Sequence, residues 1–405
     1  MITLIRLLKR AFRSFCPLLL CAIFLSLWGC LAIYNASLQF EQPEYYVIRQ
    51  CTWLVAGILV ALFLYRVSAT KIFSLIPWLY SFGLLSLFLV LIIGHSRHSM
   101  RGWFHTEWFS LQPSEFFKPI FCLFLCWYSD RLKNEDMSNL KKYLKLSLMA
   151  SPGIILIALQ PDFGTTLIFC ILLVTIYWVY EGYFKYLFFS FIALIPFLAL
   201  VLVKYPYVMD RFTGFWNPEA HAEKAGFHLM QLERSLASGG LWGRSFGHGL
   251  WSQGYLPLTH NDSIFASFCE ATGFVGGLAL IFVFSLALMA VVKKSSRMRN
   301  ELYGKTLFML VFSLCMQAFI HISVNIQLLP PTGITLPFFS YGGSSLMASF
   351  LIVGLCKSLI RTEKREMSLL EGSKSCEVEP FKKDLDIGKT ISFKEVEVSR
   401  KAIGN

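Results

Sequence analysis

The chain has 405 residues, 55% of them hydrophobic and only 15% charged, with a formal net charge of +12. A soluble domain holds roughly a quarter charged residues, so the composition excludes a soluble globular protein and points to a polytopic membrane protein. The basic residues gather at loop ends and in the C-terminal segment without the aromatic interleaving of a nucleic-acid surface, so no nucleic-acid partner is expected.

Arg6, Lys9, Arg10 and Arg13 make 1–15 a basic segment ahead of the first apolar run. That run, 16–35, is long enough to cross a bilayer and lacks a small-residue cleavage site followed by a soluble domain, so it reads as a retained helix. Further apolar runs lie at 50–66, 72–94, 113–129, 143–160, 164–181, 184–203, 263–292, 306–326 and 340–360. The expectation is an all-α fold of about ten transmembrane helices over 16–360, with a long outer loop, 204–262, between spans 7 and 8.

Basic residues fix the orientation. One set of connections holds the N-terminal cluster, Arg66 and Lys71, Arg131, Lys133, Lys141 and Lys142, Lys185, and then Lys293, Lys294, Arg297, Arg299 and Lys305. The alternate short connections hold only Arg49, Arg97 and Arg101. The excess marks the first set, and with it both termini, as cytoplasmic. The charged stretch 361–405 reads as a weakly ordered cytoplasmic tail. Of the eleven cysteines, nine lie in apolar runs, where cysteine behaves as a small hydrophobe. Cys122 and Cys126 share a helix face without a His or further Cys, and the long loop has no cysteine, so neither a cysteine metal site nor a disulfide framework is expected.

The polar motifs then fall on the outer side. In QPSEFFKP, Glu115 and Lys118 are three apart at the start of a span, neighbouring positions on a helix. Charges inside a membrane are costly and usually pair toward the bundle interior, so the two read either as a structural ion pair or as a cavity wall that handles a charged ligand. In QPDFGTT, Pro161 and Gly164 break the helix and Asp162 sits at the break. Such a break is tolerated only in protein or beside a wet cavity; Asp162 also reads as a helix cap, and the two roles are compatible.

The loop 204–262 is too long for a passive connector. Its HLMQLERSLAS stretch has helical spacing, and Gly239, Gly240, Gly243, Gly247 and Gly249 alternate with Trp242, Phe246, Trp251 and Tyr255. Aromatic side chains of this kind prefer headgroup level, so the segment is expected to fold back over a lipid-facing groove. It ends in His260, Asn261 and Asp262 at the lip of a span, with Glu270 about two turns further on and able to share the face of Asp262. Asp262 reads either as a helix cap or, partly buried, as a general base. Last, PPTGITLPFFSYGGSS reads as an irregular re-entrant element in which Ser340, Tyr341, Ser344 and Ser345 offer hydroxyls to a polar headgroup.

Taken together, QPSE-x-x-K, QPD-x-GT, GGL-x-G, Q-x-x-LP-x-x-H-x-D-x-IFA and P-x-TG-x-x-LPF-x-SYGGSS, in this order, resemble the SEDS family (shape, elongation, division and sporulation) of bacterial peptidoglycan glycosyltransferases. The resemblance covers nearly the whole chain up to about Lys357 and lies closer to the RodA branch than to the FtsW branch, which more often has Lys near the position of Thr332. It implies an enzyme of the bacterial cytoplasmic (inner) membrane, surrounded by membrane lipids. The implied reaction polymerises lipid II, a disaccharide–pentapeptide on undecaprenyl pyrophosphate, into β-1,4 glycan strands with inversion, for cell-wall elongation or cell shape. The implied partner is a class B penicillin-binding protein transpeptidase.

By the same resemblance Asp262 is the catalytic residue, and Glu115, Lys118 and Asp162 belong to a central cavity. Asp262 serves as base or holds a divalent cation (Mg or Mn) that neutralises the diphosphate; no organic cofactor is expected. Lys118 and Arg101 are assigned to the anionic leaving group. Gln112, His260, Ser340, Tyr341, Gly342, Gly343 and Ser344 complete the expected binding set. The chain departs from the family pattern at Leu258, where Glu is usual, at Ser263, where Phe is usual, and at Ala271-Thr272-Gly273, where Glu-Leu-Gly is usual. The competing reading is a lipid-linked precursor flippase, since broken helices with midplane charges also mark transporters. Polar residues gathered at the outer mouth rather than through the full depth favour the enzyme.

Overall fold

The computed structural model describes residues 17–97, 100–105, 110–181, 188, 206–222 and 225–383. Among these, seven helices are long and apolar enough to cross a membrane. They are α1 (Pro17–Ser37), α2 (Pro43–Arg66), α3 (Ala69–Ile93), α5 (Asn139–Leu159), α9 (Ile264–Ser295), α10 (Glu301–Asn325) and the membrane part of α11 (Gly343–Lys383). Helix α4 (Pro113–Lys133) carries too many charges to join them by composition, and the apolar stretch of α6 (Phe163–Glu181) is shorter. The span expected at 184–203 lies outside the described residues, apart from Phe188. The chain is thus a multi-pass helical membrane protein.

Charge explains why α4 sits centrally. Glu115 and Lys118 are buried in its first turns, and the helix packs against α3, α5, α6 and α10. Close approach is bought by two glycines: a Cβ at Gly83 on α3 or at Gly153 on α5 would collide with the Phe117 ring. That ring also stacks on Phe169 at 5.7 Å between centroids.

One feature lies outside an all-helical reading. The α3–α4 connection folds as a three-stranded antiparallel sheet, β1 (His95–Arg97), β2 (Met100–His105) and β3 (Ser110–Leu111), with Trp103 opposite His95 and Phe104 opposite Leu111. Arg101 stands exposed on β2.

The long loop contains α7 (Pro206–Trp216), a short 3₁₀ turn and α8 (Ala225–Gly239), which includes the stretch read as helical. Leu229 and Leu232 of α8 pack with Leu256 and Ala266 into a small separate core. The glycine-rich part beyond α8 is not draped over the surface. It is spliced into α9 at Gly273, whose φ of 72° and ψ of −174° break the helix. Arg244 and Ser245 N–H groups donate to the Glu270 and Ala271 carbonyls, both at 2.9 Å, and Phe274 N–H donates to Gly240 O at 2.9 Å. The backbone groups freed by the break are therefore satisfied by the loop, as a membrane interior demands. Only glycine fits here: φ is positive, and an added Cβ would strike Leu241 and Gly243.

Glu270 completes the splice. Its carboxylate accepts from Trp251 N–H at 2.9 Å, Ser252 N–H at 2.8 Å and Ser238 Oγ at 3.1 Å. The expected sharing of a face with Asp262 gives way to this loop anchor, because two backbone N–H groups outbid the cavity for the carboxylate.

The chain divides into two compact units, Met1–Arg361 and Thr362–Asn405. Where the sequence reads as a weakly ordered tail from residue 361, helix α11 runs on to Lys383; 384–405 lie outside the described residues.

Candidate active site

The expected motifs meet at one end of the bundle, around the connection 326–342 between α10 and α11. That connection holds Gln327, Gly333 and Phe338 at φ of 58°, 71° and 64°. Strained backbone persists only where its surroundings over-determine it, and here α10 supplies the restraints. Gln317 Nε2 donates to Thr335 O at 3.0 Å. His321 Nδ1 bonds Ile334 O at 2.7 Å, so Nδ1 carries the proton and Nε2 is left to accept from Asn325 Nδ2 at 3.3 Å.

Beside this connection lies a cavity of about 150 Å³, lined by Asp262, Arg211, His228, His321, Leu258 and the Pro331–Ile334 backbone with its side chains. Asp262 is placed by Asn325, whose Nδ2 donates to Asp262 O at 2.9 Å and whose Oδ1 accepts Ala266 N–H at 3.2 Å. The second bond satisfies one of the orphan donors that open α9. Arg211 is braced by donating to Pro331 O at 3.1 Å. Leu258 lines the cavity from a left-handed backbone, φ 50°.

Asn325→Leu removes both bonds, together with the one to His321 Nε2, while keeping volume. The exposed cost of unsatisfied buried partners is about 1–3 kcal/mol, read as a lowered melting temperature in detergent; an unchanged one would show that the amide does not hold this turn.

Glu115, Lys118 and Asp162 form a second cluster rather than joining Asp262 in its cavity. Lys118 Nζ lies 2.9 Å from Glu115 Oε2 and donates to Gln317 Oε1 at 2.6 Å. Asp162 caps α6 through Thr165 N–H at 3.0 Å and accepts from Gln112 Nε2 at 3.1 Å. Burial raises its pKa above the usual carboxylate range. The two clusters share a wall: a Cβ on Gly164 would press on Ile334 and on Thr332 O, while the far side of this strand of chain, at Gly333, faces the Asp262 carboxylate.

Other residues of the expected binding set make the following contacts within the protein. Hydroxyls of the SYGGSS element are engaged within the protein, because a re-entrant backbone must be satisfied locally. Ser340 Oγ bonds Asn261 O at 3.0 Å and Leu336 N–H at 2.8 Å, and Ser344 Oγ meets Ser110 O at 3.2 Å and Gln112 N–H at 3.1 Å. The Gly342 N–H is held by Gln50 Oε1 at 3.3 Å, and Gly343 makes room for Trp53. His260 sits among Phe40, Tyr46 and Tyr341 at ring distances of 5.4, 4.9 and 5.5 Å, outside the Asp262 cavity. Burial pushes its pKa down to about 4, which keeps it neutral. Arg101 and Lys118 are not among the cavity-lining residues, and the cationic side chain on that wall is Arg211.

Among the described residues no group of three or more His, Cys, Asp or Glu could hold a metal ion.

Sequence reasoning gave no site role to Arg211, His228, His321, Asn325 and Gln317. For His321 and Asn325 a signal existed, since polar residues four apart inside an apolar span face a bundle interior. Arg211 and His228 sit on loop helices whose approach to Asp262 is set by tertiary packing.

Comparison with known proteins bears on the family and the fold. The family model for the FtsW, RodA and SpoVE cell cycle proteins matches residues 15–365. A Coxiella burnetii protein named probable peptidoglycan glycosyltransferase FtsW is 32% identical over 358 residues, covering 84% of this chain and 94% of its own length. A chain from a solved peptidoglycan synthase complex, described for its structural coordination of polymerization and crosslinking, has a TM-score of 0.72 at 25% identity, covering 86% of this chain and 97% of that one. The rod shape determining protein RodA of Thermus thermophilus has a TM-score of 0.62 at 25% identity, covering 84% and 96%. A helical bundle with these motifs converging on one end, matched by that model over most of its length, belongs to the FtsW/RodA/SpoVE family, the SEDS proteins.

Proposed function

We infer that the protein is a peptidoglycan glycosyltransferase that polymerises lipid II into β-1,4 glycan strands at the outer face of the cytoplasmic membrane. The observation that carries this reading is the cavity that Asp262 and Arg211 both line beside the strained 326–342 connection. The names of the relatives supply the reaction class.

The chemistry needs a proton acceptor and a positive charge. The 4-hydroxyl oxygen of the acceptor sugar attacks the anomeric carbon of the donor from the face opposite the diphosphate. A carbon–oxygen bond forms, the bond from that carbon to the diphosphate oxygen breaks, and the electron pair leaves with the diphosphate. The hydroxyl proton passes to the Asp262 carboxylate, and Arg211 faces the charge gathering on the leaving group. No covalent enzyme intermediate is required, because the diphosphate is already a good leaving group.

The basic connections favour cytoplasmic termini and put the cavity on the outer side. A class B penicillin-binding transpeptidase is the partner the synthase complex suggests. The RodA-like branch rests on the PPTGITLPFFSYGGSS pattern, in which Thr332 stands where the division branch more often has Lys.

The test is direct. Purified protein, with and without such a transpeptidase, is incubated with fluorescent lipid II, and glycan polymer is resolved by electrophoresis. Polymer is the expected product. Translocation of lipid II across liposomes with no polymer would replace this reading with the flippase.

A further inference from the structure

Ser263, directly after Asp262, fixes the protonation of a neighbouring imidazole. Its Oγ donates its single proton to Pro257 O at 2.8 Å. The same Oγ lies 2.8 Å from His228 Nε2. With the hydroxyl proton committed to a carbonyl, the oxygen can only accept, so Nε2 must be the protonated nitrogen. Nδ1 is then a bare acceptor, and among the described residues nothing is seen to engage it. The ring forms part of the wall of the cavity that holds Asp262 and Arg211. Burial and the nearby Arg211 guanidinium keep His228 neutral, with its pKa pushed down to about 4.

Each part has a reason in the chain. His228 projects from α8, and Ser263 immediately precedes α9, the helix against which α8 packs.

We propose that His228 is a second substrate-binding group of this site: pinned through Nε2–H by Ser263, it accepts at Nδ1 a hydrogen bond from a saccharide hydroxyl in the Asp262 cavity and orients the acceptor toward the carboxylate. The proposal rests on the glycosyltransferase reading above. In it the proton still passes to Asp262; His228 only accepts a hydrogen bond, and Ser263 is a positioning residue.

The experiment compares His228→Gln, His228→Met and Ser263→Ala with the wild-type full-length chain, using fluorescent lipid II as both donor and acceptor. Glutamine carries an N–H for Ser263 and an oxygen acceptor, whereas methionine fills space without an acceptor. His228→Met is expected to lower polymerisation about tenfold, the worth of one hydrogen bond. His228→Gln should recover most of the rate, and Ser263→Ala should fall between the two. Melting temperature identifies any variant that fails to fold; should methionine do so, the contrast of His228→Gln with Ser263→Ala carries the test. Equal rates for wild type and His228→Met, or equal losses for glutamine and methionine in folded protein, overturn the proposal. If the wild type itself makes no polymer, it is the glycosyltransferase reading that fails.

Discussion

Asp262→Asn is expected to reduce glycan polymerisation by about 10²–10⁴-fold, the usual contribution of a positioned acid–base group. The substitution keeps size and removes the charge. The turn that carries the side chain is held through its backbone, by Asn325 Nδ2 on Asp262 O at 2.9 Å, and that bond does not depend on the carboxylate. Melting temperature and lipid II binding should therefore stay near wild type while polymer disappears from the electrophoretic assay. Polymerisation at the wild-type rate would remove Asp262 from the reaction and with it the proposed proton path.

The other large effect is on stability. Lys118→Met should destabilise the protein by about 3–5 kcal/mol, because it strands a buried carboxylate. Lys118 is only 2% exposed, and its Nζ contacts Glu115 and Gln317 together. Pairing the change with Glu115→Gln removes the stranded charge, so the double variant should regain much of the loss. Thermal unfolding of the four proteins in one detergent gives the double-mutant cycle. A single variant as stable as wild type would mean that the pair is not closed in the folded protein. If the double variant is stable and still polymerises, the pair is architectural; a stable but inactive one assigns it to the substrate cavity.

How much of this was legible from sequence differs between elements. Apolar runs gave the spans because a bilayer imposes length and composition directly. Asp162 was legible as a cap because Gln-Pro-Asp-Phe-Gly-Thr-Thr writes a helix break and a helix start side by side, and Thr165 N–H takes the expected bond. The short sheet at 95–111 was hidden by its polar, aromatic character among so many helices. The SYGGSS hydroxyls were assigned outward since nothing local shows that Leu336 N–H, Asn261 O and Ser110 O await them. Arg211 was invisible for the same reason: it reaches the Asp262 cavity by the packing of two loop helices, and its partner Pro331 is 120 positions away.

The splice at Gly273 has a mechanical corollary. Helix α9 and the glycine-rich segment draw on one common stock of backbone bonds, so neither can relax alone. A tug on the exposed tip at Leu241 and Trp242 is transmitted to the break rather than absorbed as slack, and the first turns of α9 lie between that break and Asp262.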